Sequence, residues 1–490
     1  MTYRCLCLRI SLLLELPTRI RHVFTTYMIF LIIGKGKRTL TNAADLMEYD
    51  ISNFSKLLLN HFGTAELCLE LLSKSFAKKM AKSKKSLANI KRWGIIIIID
   101  STFQHRCSLK PGNSNKFNHG RGYEIGHQWT NIVLVVGGIV IPLQPICYYS
   151  RDYCRKNEID YKTEHDYIIE YFTSLNLKDY VCKHKSESVL FLADSGYDNK
   201  KIQDLIQSKS WCFVAALKCS RGVKSKSQYE KDNTGKITYS LSRRGFEYFK
   251  KIGITVEIRE KFKTIKKRLS KEVFIEKLTT IANHEFEKKI ITQILKLSNE
   301  KSWGRIDDFF NNHSEIKWYT ISIAKNTEKE KRMDFRVKQA TVHLQGVGEL
   351  KVLCSEIKKS SNNRKKFLAC NNMDATAHEI ICAYRLRWKI EIFHKQVKMQ
   401  LGFEDISAKN FASVMTHTYM VYCAYILLDL LSEQDEEAGV PEKTMQEKKA
   451  KIECIFESVK KKEFLRMLTL FGGVKLCRNK IKEELHKMAS

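Results

Sequence analysis

The apolar residues of this chain change period along its length. Up to about Lys85 they recur at helical spacing, from about Gly94 they gather into short β-branched runs, and beyond Cys370 helical spacing returns. Two short helical stretches near the start, Ala43 to Tyr49 and Ser52 to Leu59, join near Asp50 and Ile51. That pattern fits a DNA-binding helix-turn-helix and an ordinary small bundle equally well. A lysine-rich connector, Lys78 to Arg92, follows with no strong apolar period. The runs Ile95 to Ile99, Val133 to Val136, Ile139 to Leu143, Val189 to Ala193 and Phe213 to Leu217 read as strands of a buried sheet, with a helix over Tyr167 to Leu175 between them. Strands alternating with helices in this order predict a mixed α/β layer.

Lysine-rich polar stretches then interrupt the layer, carrying the short strand candidates Ile254 to Ile258, Trp318 to Ile323 and Phe335 to Leu344. One more strand, Lys366 to Cys370, precedes the helical end of the chain. The expected organisation is a helical N-terminal region over 1–85, a core in two parts over 86–220 and 366–433, a β-rich insertion over 221–365, and a basic helical C-terminal region over 434–490. Two apolar segments bear on membranes. Met28 to Ile33 is too short to span a bilayer, and Val414 to Leu431 is interrupted by His417, Thr418 and three tyrosines, which predicts a buried helix. No membrane partner is expected.

Charge changes the picture more than length does. Among 490 residues, 85 Lys and Arg face 54 Asp and Glu, a formal charge of +31 that would attract a polyanion and steer its approach. Nucleic acid is the first candidate partner. The hydrophobic content of 43% excludes a disordered chain and supplies at least one sizeable core. Fifteen cysteines are scattered without any CxxC, so neither a disulfide framework nor a zinc finger is indicated, and a reducing cytoplasmic setting is expected.

The chemistry concentrates in the predicted helix from Tyr384 to Lys398. At about 100° per residue, Tyr384, Arg387, Glu391 and Lys398 fall within roughly 60° of arc, while Leu386, Ile390, Phe393 and Val397 fill an arc of about 60° on the opposite side. A phenol, a guanidinium, a carboxylate and an ammonium thus lie along roughly 21 Å of one face, a length that a nucleic-acid backbone could follow. The plain alternative is a solvated face with an Arg387–Glu391 pair at i, i+4. Asp100 closes the Ile95 to Ile99 run and Asp194 closes the Val189 to Ala193 run, each followed by small polar residues. Either alone reads as a helix cap or turn residue. Three carboxylates from separate elements would together make a hard, all-oxygen site suited to Mg²⁺ and to phosphodiester cleavage.

Tyr384-x₂-Arg387-x₃-Glu391-x₆-Lys398 resembles the complete Tyr-Arg-Glu-Lys (YREK) signature of bacterial insertion-sequence transposases of the DDE class, the insertion-sequence-four family. Asp100-Ser101-Thr102 looks like that family's first aspartate motif and Asp194-x-Gly196-Tyr197 like its second, and the similarity runs from about Gly94 to Leu431. The resemblance implies a ribonuclease H-like core in which Asp100, Asp194 and Glu391 are catalytic and hold two Mg²⁺ ions, with Mn²⁺ as the alternative ion. It also implies that Tyr384, Arg387 and Lys398 hold the DNA strand near the scissile phosphate, with a hairpin intermediate in the reaction. Trp388 would either stack on a displaced base or pack in the core. His394, where relatives more often carry an aromatic or basic residue, is expected to be a surface histidine. The partners implied are the terminal inverted repeats of the element, target DNA, and a second copy in a homodimeric synaptic complex, in a bacterial cytoplasm at the nucleoid. Two rival readings remain at this point, a metal-dependent nuclease without strand joining and a catalytically silent DNA-binding descendant.

Overall fold

The computed structural model describes residues 18–82, 93–106, 112–118, 122–234, 248, 271–282, 303–324, 332–358, 365–432, 444–450, 452–454 and 457. The expected strand Ile254 to Ile258 and residues 83–92 of the basic connector lie outside these residues, as does most of the C-terminal region. The chain forms two compact units, one comprising residues 1–188 and 387–490, the other 189–386.

In the first unit five strands run β1 (Ile95–His105), β2 (Asn115–Asn118), β3 (Tyr123–Val136), β4 (Ile139–Pro142) and β5 (Ile146–Cys147). The long β3 pairs antiparallel with each of the other four. Against β1 the register sets Ile96 opposite Val135 and Asp100 opposite Asn131. The β-branched run Ile95–Ile99 is buried throughout, as its composition predicts. β1 does not end there, however. Thr102 and Phe103 continue the ladder against Trp129 and Gln128, so Asp100 stands in mid-strand rather than at a carboxyl end.

Helices Thr18–Ile33, Ile51–Asn60 and Phe62–Lys82 pack on the long apolar helix Phe411–Ser432. The window Phe411–Asp429 is long and apolar enough to cross a membrane by composition, but 94% of it is buried within the protein. Its polar residues are satisfied inside. His417 Nε2 donates to Gly402 O at 2.9 Å, and Tyr27 OH donates to His417 Nδ1 at 2.9 Å. The two short N-terminal helices are Leu40–Met47, capped by Thr39, and Ile51–Asn60, capped by Asp50, with Glu48 in the left-handed region at the turn (φ 55°). Phe54, Leu57 and Leu58 bury the second of them in the bundle.

Helix Trp388–Gln400 buries Ile390, Phe393 and Val397, three of the four residues of the anticipated apolar stripe, whereas Leu386 precedes the helix and is half-buried. Phe393 sits edge-on between the rings of Tyr422 and Tyr425, at centroid distances of 5.0 and 4.9 Å. Gly402 ends the turn that follows, with φ +74°. A Cβ there would come within 2.7 Å of Arg38 Cβ, so the position requires glycine on two counts. Arg38 Nη2 and Lys449 Nζ both donate to Gln400 O, at 2.8 and 2.9 Å, placing two cations at the helix C-terminus, where its dipole favours them.

The second unit carries β6 (Val189–Ala193), β7 (Cys212–Leu217), β8 (Gly222–Ser225), β9 (Gly304–Arg305), β10 (Tyr319–Ala324), β11 (Arg332–Leu344), β12 (Gly348–Ile357) and β13 (Lys366–Cys370). Their order is β6-β7-β13-β12-β11-β8-β9, with β10 also on β11. β6 and β7 are parallel, joined by the crossover helix Lys200–Ser208, and the remaining pairs are antiparallel, so the sheet is mixed. β12 had no counterpart among the sequence expectations. It forms a hairpin with β11 through a turn in which Gly346 takes φ +79°. The described strands of the 221–365 stretch are thus hydrogen-bonded into the same sheet as β7 and β13.

Phe393→Ala should destabilise the protein by about 3–5 kcal/mol, because the cavity between Tyr422 and Tyr425 cannot close fully. Chemical denaturation of the two proteins measures this, and a loss below about 1 kcal/mol would show that the aromatic cluster does not hold the helix.

Candidate active site

The expected helix from Tyr384 to Lys398 is two helices. Ala377–Arg385 ends in the second unit and Trp388–Gln400 begins in the first. Leu386 and Arg387 keep helical dihedrals, but the Leu386 N–H reaches Ala383 O and the Ile390 N–H reaches Arg387 O, a tighter i→i−3 pattern that interrupts the α ladder. Arg387, Glu391 and Lys398 therefore share one face. Tyr384 belongs to the preceding helix, where Lys366 Nζ lies 5.6 Å from its ring centroid.

Arg387 is the centre of the site. Its Nη1 donates to Asp100 Oδ2 at 3.0 Å, across 287 positions of sequence, and its Nη2 donates to Glu391 Oε1 one helical turn away. The side chains are 14% exposed for Arg387, 15% for Asp100 and 30% for Glu391, which sets this cluster apart from a solvated surface pair. Asp100 Oδ1 also accepts from the Ser101 N–H at 2.9 Å. Lys398, expected to be open to phosphate, donates instead to Phe103 O at 2.5 Å and pairs with Glu404 at 3.1 Å. Trp388 is 61% exposed, which removes the core-packing alternative.

Asp194 lies in the second unit, directly after β6. It caps the 3₁₀ turn Ser195–Tyr197, its Oδ1 accepting from the Gly196 N–H at 2.7 Å. Among the described residues no group of three or more His, Cys, Asp or Glu side chains is gathered closely enough to hold a metal ion. Asp100 and Glu391 each place a hard carboxylate oxygen on a different nitrogen of Arg387, donors of the kind that Mg²⁺ takes.

His394 is not the surface histidine expected from the sequence. Its Nε2 accepts from Asn131 Nδ2 at 2.9 Å, and Asn131 Oδ1 in turn accepts from Tyr422 OH at 2.5 Å. Burial, with the Lys398 and Arg387 charges nearby, pushes the imidazole down to about 3. Asn131 faces Asp100 across the strands, so this chain of bonds runs from the long apolar helix to the strand position opposite Asp100 and on to the signature helix. Sequence reasoning missed Asn131 and Tyr422. The available signal was an amide in the middle of the apolar stretch Trp129 to Val136.

The family model for the transposase DDE domain matches residues 175–427, just over half of the chain. The chain belongs to that family. No curated protein matches it. The matched interval of the transposase contains Asp194 and the whole of Tyr384 to Lys398, and Asp100 lies before it.

Three histidines of the transposase are held neutral by burial, His127 at about 4, His394 at about 3 and His417 at about 4, each lowered from 6.5. The unfolded chain therefore binds more protons than the fold below about pH 6.5, and stability is complete above that value and lost as pH falls toward 4. The urea midpoint should be lower at about pH 5 than at about pH 7, with a smaller difference in His417→Gln. Equal midpoints in the wild type would show that these imidazoles are not buried neutral.

Proposed function

We propose that this chain is a DNA transposase of the insertion-sequence-four, YREK-signature group, which cleaves phosphodiester bonds at the inverted-repeat ends of its element and joins the 3′-hydroxyls to target DNA. The observation that carries the proposal is the convergence of Asp100 and Glu391, from a strand and a distant helix, on Arg387. The family match and the charge of +31 support DNA as the partner.

In this reading 86–220 and 366–433 form a ribonuclease H-like core, with 221–365 as its β-rich insertion, and a homodimer assembles on paired ends. Asp100, Asp194 and Glu391 would hold two Mg²⁺ ions, or Mn²⁺, which when bound supply Lewis-acid activation of the attacking oxygen and charge stabilisation of the leaving one. Arg387 offers a planar fork to a phosphate, Lys398 a point charge and Tyr384 a phenolic donor. Exposed Trp388 offers an indole face to an unstacked base. Hydrolysis releases a 3′-hydroxyl, and transesterification by that hydroxyl separates a transposase from a plain nuclease.

Glu391→Gln should abolish end cleavage on DNA carrying the flanking ends of the encoding element while end binding persists, as should Asp100→Asn. Lost binding with residual cleavage intact would contradict the assignment. Labelled 3′ ends incubated with a target plasmid should become covalently joined to it, and cleavage without joining would favour the nuclease. If Lys398 exchanges Glu404 for a phosphate in the complex, Lys398→Ala should flatten the salt dependence of DNA binding by about one unit of slope. An unchanged slope would leave Lys398 with its internal partners.

A further inference from the structure

Two carboxylates held at one partly buried guanidinium would repel each other if that cation were removed. Arg387 is that cation, with one nitrogen on Asp100 and another on Glu391. Lys398 does not compete for the role, being committed to Phe103 O and Glu404. A helix-surface Arg–Glu pair at i, i+4 would satisfy only Glu391. The additional bond to a strand residue and the low exposure of the guanidinium show a cluster built across two elements.

We propose that Arg387 is a latch that occupies the carboxylate pair in the DNA-free protein and must leave before a divalent ion can load. The inference rests on the metal-binding reading of Asp100 and Glu391. A guanidinium and a dication compete for the same oxygens, so the fork is driven off the carboxylates as the ion enters. The displaced fork has the planar geometry that a strand phosphate accepts. A phosphate that takes Arg387 leaves the carboxylates open, and an ion that takes the carboxylates frees Arg387. Each therefore lowers the cost of binding the other, by the reciprocity of coupled equilibria. Loading of the hydrolytic site is thereby tied to the presence of DNA.

The test is Mn²⁺ binding to the full, DNA-free chain, read by the electron paramagnetic resonance of the free ion. Arg387→Gln should bind Mn²⁺ about ten- to hundredfold more tightly than wild type, since two charge-assisted hydrogen bonds no longer have to be broken. Adding Asp100→Asn should remove the gain. Arg387→Lys, whose single ammonium neutralises the pair without forking it, should fall between the two and keeps the test open if the glutamine variant folds poorly. In metal-free buffer Arg387→Gln should melt below wild type, and saturating Mn²⁺ should narrow the difference. Binding by Arg387→Gln and Arg387→Lys no tighter than wild type would overturn the latch and leave the metal reading standing. Absence of any Asp100-dependent Mn²⁺ binding in all these proteins would remove the metal reading, and the latch with it.

Discussion

The seating of helix Trp388–Gln400 is the constraint on which the site of the first unit depends. Its apolar stripe closes on Tyr422 and Tyr425 of the long buried helix, which leaves the Arg387 and Glu391 face directed at Asp100. Rotation of the helix by one residue, about 100°, would carry Arg387 and Glu391 together away from Asp100 and bring a polar residue into the core. Packing and electrostatics therefore select the same orientation. The polar path from Tyr422 through Asn131 to His394 adds direction to that packing, because each member is satisfied only when strand and helix are in register.

The N-terminal helices take part in this arrangement. Tyr27 bonds His417, which bonds the Gly402 carbonyl at the end of the signature helix, and Arg38 holds both Gln400 O and Asp405. A region whose sequence fits a helix-turn-helix and an ordinary small bundle equally well thus buries its apolar face in the bundle that supports the candidate site. Ordering these helices carries a large entropic cost, which burial of Phe24, Tyr27, Phe54 and Phe76 offsets.

The charged residues singled out from the sequence sit in three states of commitment. Glu391 and Asp100 are bound to one another through Arg387, Lys398 is bound to a main-chain carbonyl and a third carboxylate, and Asp194 caps a turn in the second unit. Each is a satisfied interaction that DNA or a metal ion would have to exchange for another. Exchange of this kind makes binding conditional on the right partner rather than on charge alone, whereas the overall charge of +31 acts at a distance on any polyanion.

Much of this was legible in the sequence because it is local. The apolar runs became β1, the end of β3, β4, β6, β7 and β13, Ile390, Phe393 and Val397 became a buried face, and the spacing of Arg387, Glu391 and Lys398 put them on one side of a helix. These follow from the pitch of a helix, the alternation of a strand and the cost of exposing apolar area. What the sequence could not reveal depends on partners distant in the chain. The extension of β1 past Asp100 needed β3, and the β12 hairpin needed its place between β11 and β13. The break between Tyr384 and Arg387 falls where the chain passes from one compact unit to the other. His394 is polar by type and half-buried by tertiary context, since only the folded chain brings Asn131 to its ring. Periodicity determines which face a residue lies on, and only the tertiary structure decides what that face meets.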